Sequence, residues 1–160
     1  MKKFYLAHQF KYRFFVREIE LQLEKDFNIE LINPFFDSKR KDIEQLNNEN
    51  IKLAVRLKYS DKDATKIVKG DLSLIDKSDG IISIIVDSES IGSYMEIFYC
   101  GFVLHKPVYI IAPNIKIRKH LWIRCCSTKQ FASVNSFKKW LKKKGYSNNT
   151  INKTTFGVRI

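Results

Sequence analysis

Two carboxylates set in apolar surroundings are the residues of this sequence best placed to do chemistry. Glu96 is the only charged residue between positions 90 and 104, among Ile, Tyr, Met, Phe, Cys, Val, Leu and small side chains. A helix of that composition is apolar nearly all round and belongs in an interior. A carboxylate there needs a hydrogen-bond partner, a raised pKa or a task. Asp71 poses the same question. It interrupts the stripe formed by Ala64, Ile67, Val68, Leu74 and Ile75 in a helix expected over residues 61–77.

Between the two acids runs GIISIIV, residues 80–86, bounded by Asp79 and Asp87. A continuous β-branched run of this length reads as a central strand covered on both faces. One helix before it and one after can therefore bring both acids towards the strand's carboxyl end, where open α/β sheets bind ligands.

The remaining elements follow the same alternation. Strands are expected over residues 3–7, 29–32 and 108–112, with an edge strand over 130–134. Helices are expected over residues 11–27, 40–57, 61–77, 120–126 and 137–144, and around Glu96 from about Ser90. The helix over 40–57 would carry Leu46, Ile51, Leu53 and Val55. Strands alternating with helices argue an α/β three-layer sandwich with a parallel five-stranded sheet. Residues 1–145 make one domain, and 146–160, polar and without period, read as a tail or an arm on a partner subunit.

Composition bounds the partners. The chain has 160 residues and a net charge of +12, yet all 17 acidic residues lie at or before Glu96, and residues 97–160 hold 13 Lys and Arg. A basic half suits an anion, whether a nucleotide phosphate or a nucleic acid backbone. The Lys-rich run KKWLKKKG reads more simply as the solvated face of a last helix, which makes nucleic acid a poor candidate partner. Three cysteines, with no C-x-x-C and no His/Cys metal spacing, point to a reduced compartment and no structural zinc. No stretch has the length of a membrane span or the apolar core of a signal peptide, so a cytoplasmic protein is expected. Walker, G-x-G-x-x-G, G-x-S-x-G and H-E-x-x-H motifs are absent from the sequence.

The motif residues Asp71, Ile75, Asp76, Ser78 and Asp79, then Gly92, Glu96, Ile97 and Tyr99, then Lys106, Pro107 and Val108 resemble the nucleoside 2-deoxyribosyltransferase family, which includes related 2'-deoxynucleoside 5'-monophosphate N-glycosidases. The opening FYLAHQF is similar to that family's first strand and active-site loop. The resemblance implies a flavodoxin-like sheet. It implies Glu96 as the nucleophile that takes the deoxyribosyl group, Asp71 as the acid serving the departing base, and Tyr5 as the donor that holds Glu96. Such chemistry parallels a retaining glycosidase, with two carboxylates about 5 Å apart. No metal or organic cofactor is implied. The implied partners are a small-molecule deoxynucleoside or deoxynucleotide and a second copy of the chain in a homo-oligomer.

The chain departs from the family at instructive positions. Many deoxyribosyltransferases carry Asp six residues before the Glu, where this chain has Ser90; the N-glycosidases carry Ser there, near the 5'-phosphate. Ser90 with the backbone N–H groups of Ile91 and Gly92 would suit a phosphate at a helix N-terminus. The loop after the first strand lacks the Gly-Ser-rich stretch and the Arg of those N-glycosidases, leaving His8, Lys11 or Arg13 to supply a cation, and Phe98 replaces a usual Gly.

Structural readings stand beside these. Ser93-x-x-Glu96 fits a capping box, Asp71 fits a helix face, Tyr5 a core position, and Ser90 a plain N-cap. Phe10 suits either stacking on a base or packing, and Trp122 either the pocket wall or the interior. Asp76 and Asp79 read as caps and turn residues. Two further functions remain open to the sequence: a non-catalytic nucleotide-binding or sensing module, and a basic nucleic-acid-binding protein.

Overall fold

A computed structural model describes residues 1–37 and 60–148. Five strands form one parallel sheet: β1 (Lys2–His8), β2 (Ile29–Ile32), β3 (Gly80–Ile84), β4 (Val108–Ile111) and β5 (Lys129–Phe131), in the order β2-β1-β3-β4-β5. The helices are α1 (Arg13–Asp26), α2 (Asp61–Asp76), α3 (Ile91–Phe98), α4 (Ile115–Lys119), α5 (Leu121–Cys126) and α6 (Val134–Lys143). The α/β sandwich with a flavodoxin-like parallel sheet is therefore as expected. The expected helix over residues 40–57 and most of the tail lie outside the described residues.

Period-2 alternation in β1 sorts the two faces. Phe4 and Leu6 pack with Val16 and Leu23 of α1 and Phe137 and Leu141 of α6. Tyr5 and Ala7 pack on the other face with Ile75 of α2, Ile97 of α3, and Ile117, Ile123 and Cys126 of α4 and α5. Both faces are covered, which is why the central strand β3 is apolar without interruption except for Ser83.

The motif residues around α2 and β4 are structural. Lys106 donates from Nζ to the carbonyls of Ile75, Asp76 and Ser78 at 3.2, 2.7 and 2.9 Å, closing the C-terminus of α2 with a cation. Asp79 accepts from the Lys3 amide at 2.8 Å, and Tyr99 Oη donates to Asp76 at 2.8 Å. Sequence reasoning missed α4. It also missed the single π-helical turn Tyr99–Val103 that continues α3, after which His105 takes a left-handed φ of 55°. The last described residues fold back on the domain: Asn148 Nδ2 donates to the carbonyl of Lys25 at 2.8 Å, at the end of α1.

Two glycines mark close backbone approaches. A Cβ at Gly101 would lie 2.3 Å from the Cys126 carbonyl oxygen, and one at Gly80 would lie 2.4 Å from that of Pro107. Gly101→Ala must push α5 away from the π turn. It should cost about 1–3 kcal/mol or more, read as a lower denaturant midpoint at unchanged m-value.

Candidate functional site

The sheet reverses its winding between β1 and β3, so the segments leaving their C-terminal ends diverge and leave a crevice. Tyr5, fully buried in β1, crosses the face of the sheet below it. Its Oη donates to Glu96 Oε1 at 2.7 Å. Glu96 is half-buried on α3, so the partner that a carboxylate in this segment needs is the phenol of the central strand. Asp71 is half-buried on α2, whose neighbouring Leu72, Leu74 and Ile75 pack in the same cluster as Tyr5 and Ile97. Both acids thus ride on helices covering the same sheet face.

Helix α3 begins at Ile91, with Ser90 as its N-cap. The capping-box alternative fails, because Ser93 is already the third helical residue and buried, and Glu96 sits in the second turn. Ser90 is buried, but its hydroxyl makes no capping hydrogen bond. Gly92 is exposed, and nothing lies within 4 Å of where its Cβ would be. Packing therefore does not require a glycine here.

A carboxylate that sequence reasoning passed over as a strand boundary organises the mouth of the crevice. Asp87 accepts from Gln9 Nε2 at 2.6 Å, Tyr12 Oη at 2.8 Å and the Glu89 amide at 3.0 Å, and pairs with Lys11 Nζ at 2.6 Å. These partners, led by Lys11, hold its carboxyl well below the usual carboxylate range. Asp87 and then Glu89 raise Lys11 in return. Burial, then the Asp87 charge, raises the phenol of Tyr94. Lys11, a candidate cation, is thus the counter-ion of Asp87. The Arg13 guanidinium lies over the Phe10 ring at 4.0 Å and donates to the Phe10 carbonyl.

No protein-family model matches the chain, and no curated protein matches it either. Solved structures do. One is a 2-deoxyribosyltransferase from the psychrotolerant bacterium Bacillus psychrosaccharolyticus, 22% identical, with a TM-score of 0.59 over 85% of this chain and 90% of that one. Another is a conserved protein from Enterococcus faecalis V583, 15% identical, with a TM-score of 0.56 over 90% of this chain and 99% of that one. At these identities the likeness is one of fold.

The other candidates are placed less centrally. Phe10 is buried against Phe35 at a centroid distance of 5.5 Å as well as against Arg13, so it packs. Trp122 is 63% exposed on α5, with its ring 5.9 Å from Phe98. His8 is buried, with Nε2 3.1 Å from Asn33 Oδ1 and its ring 5.0 Å from that of Phe35. Asn33 in turn donates to the buried Glu20 at 2.6 Å, and Glu20 pairs with Arg17. Arg17, Glu20 and Asn33 of this polar series line an open cavity of about 500 Å³ beside β2, together with Glu30, Leu31 and Ile32. Among the described residues no three His, Cys, Asp or Glu side chains gather closely enough to hold a metal ion, and no helix is long and apolar enough to cross a membrane.

Burial outweighs the hydrogen bonds of His8 and pushes its imidazole below the usual range. A folded-state pKa below the unfolded value means that stability is present above about pH 6.5 and is lost as pH falls towards the folded value. Thermal melts of wild type and His8→Gln should therefore converge or cross on acidification from about pH 7.5 to 5.5, with the wild type losing more. Parallel pH curves would show that His8 does not titrate in this window.

Proposed function

We propose that this chain is an enzyme that cleaves the N-glycosidic bond of 2'-deoxynucleosides or their 5'-monophosphates. The observation that carries the reading is the 2.7 Å hydrogen bond from Tyr5 to Glu96, which holds a carboxylate oxygen fixed at an interior helix face. The fold shared with a 2-deoxyribosyltransferase supports it, as do the motif residues.

In the proposed reaction a Glu96 oxygen forms a bond to C1' of the deoxyribose as the C1'–N bond breaks. The base departs with the electron pair and takes a proton from Asp71. Water, or a second base, then attacks C1' from the vacated side, giving its proton to the Asp71 carboxylate as the bond between C1' and the Glu96 oxygen breaks, which restores both acids. The Tyr5 hydrogen bond orients Glu96 and keeps it from rotating away from the sugar. Ser90 and the amides that follow it, with open space over Gly92, would take the sugar's polar end. Trp122, His8 and Phe10 would shape the walls around the bound nucleoside. The steps use only side chains, with no metal or organic cofactor. Exposed Ile91 and Met95 on α3 and Leu121 and Trp122 on α5 would be covered by a second copy in a homo-oligomer working in the cytoplasm.

Free base released from deoxynucleosides and their monophosphates, with and without an acceptor base, should be seen for wild type and lost in Glu96→Ala. Tyr5→Phe should retain the fold and lose about 10- to 100-fold in kcat, since a hydrogen bond to a charged group is worth about 1.5–3 kcal/mol. Turnover surviving Glu96→Ala, or ligand binding without turnover in wild type, would sink the reading. Gly92→Ala separates stability from function: the helix should gain about 0.5–1 kcal/mol, while kcat/KM falls if substrate approaches the bare backbone.

A further inference from the structure

Gln9 follows β1 at the crevice, and its side chain is fixed by Asp87. The residue is only 8% exposed. Its Nε2 donates to Asp87 Oδ1 at 2.6 Å, which settles the amide's orientation, because the flipped amide would set two acceptor oxygens against each other at that distance. Its Oε1 then faces away from Asp87, buried, and no donor among the described residues reaches it. A buried carbonyl oxygen left without a donor costs free energy and calls for an explanation. The amide could be spared that cost by an apolar side chain of the same length, yet it is held by a carboxylate that also engages Lys11, Tyr12 and the Glu89 amide. Asp87 is thus itself anchored, and the amide is held fast.

We infer that Gln9 is a substrate-binding residue, whose Oε1 accepts a hydrogen bond from an uncharged O–H or N–H donor of the nucleoside. The inference rests on the function proposed above. Two parts of a deoxynucleoside offer such a donor: a sugar hydroxyl and an amino or ring N–H of the base. A phosphate offers none, and it would meet the Asp87 and Glu89 carboxylates beside it. Asp87 acts through Gln9 as a positioning residue.

The test is a cycle between protein and substrate. Steady-state kcat and KM are measured for wild type, Gln9→Met and Asp87→Asn with parent deoxynucleosides. The same is done with analogues lacking the 3'-hydroxyl, the 5'-hydroxyl or the exocyclic amine of the base. Gln9→Met should lower kcat/KM about 10- to 100-fold, mainly through KM. One analogue should lose a similar factor with wild type and nothing further with Gln9→Met, and that non-additivity identifies the donor. Asp87→Asn, in which the Gln9 amide can turn over, should show the same pattern more weakly. Thermal melts report whether either variant is merely unfolded. An equal penalty for every analogue would make Gln9 only a structural tie to Asp87 and overturn the inference, as would unchanged kinetics. If wild type releases base from no deoxynucleoside or monophosphate, the proposed function fails and takes this inference with it. Turnover that is indifferent to Gln9 removes the inference alone.

Discussion

A phenol hydroxyl meeting a carboxylate across the face of a sheet is the contact to which the rest of the structure is fitted. Tyr5 can reach Glu96 only because β1 lies inside the sheet, paired with β2 on one side and β3 on the other. Its side chain must also point to the face that α3 covers. A one-residue slip of β1 would turn Tyr5 to the opposite face and bring Phe4 or Leu6 beneath the carboxylate. Helix α3 must equally be held close. The bare backbone of Gly101 lets the turn after α3 touch the carbonyl at the end of α5. Lys106, in closing α2, ties that helix to the start of β4. These contacts carry no chemistry of their own, and they fix where the carboxylate stands.

The two faces of the sheet divide the work. On the α2 and α3 face the side chains packed with Tyr5 are largely apolar, and the Tyr5 phenol reaches across them to donate to Glu96. On the α1 face polar groups gather at the C-terminal ends of β1 and β2, where Arg17, Glu20, Asn33 and His8 satisfy one another in series. Burial raises Glu20 and lowers His8, which favours the neutral form of each. In such a series each member depends on the next, and it ties the end of β1, just before Gln9 and Phe10, to α1 and to the end of β2.

Much of the scaffold was legible in the sequence because period and composition are local signals. The strand over residues 29–32 matches β2 to the residue, and the apolar run from Gly80 announces β3. Boundaries moved where local signals run out. β5 is shorter and lies earlier than the run from Gln130 suggested, since its pairing with β4 ends at Phe131. The last helix begins at Val134, where Ser133 caps it with Ser136, three residues before its first buried aromatic. Helix α4 went unseen because five residues with one buried side chain give no period.

The site was legible only in part, for a related reason. Glu96 and Asp71 stand out because each contrasts with its immediate neighbours in the chain. Asp87 and Gln9 do not, since each is a polar residue at a strand end, where polar residues are ordinary. What distinguishes them is a bond between positions 78 apart, and composition carries no trace of such a pairing. Residues that contrast with their surroundings can therefore be found one at a time. Residues that act by holding one another come into view only when the strands they follow are laid side by side. In this fold that happens between β1 and β3, the pair whose C-terminal ends diverge to open the crevice.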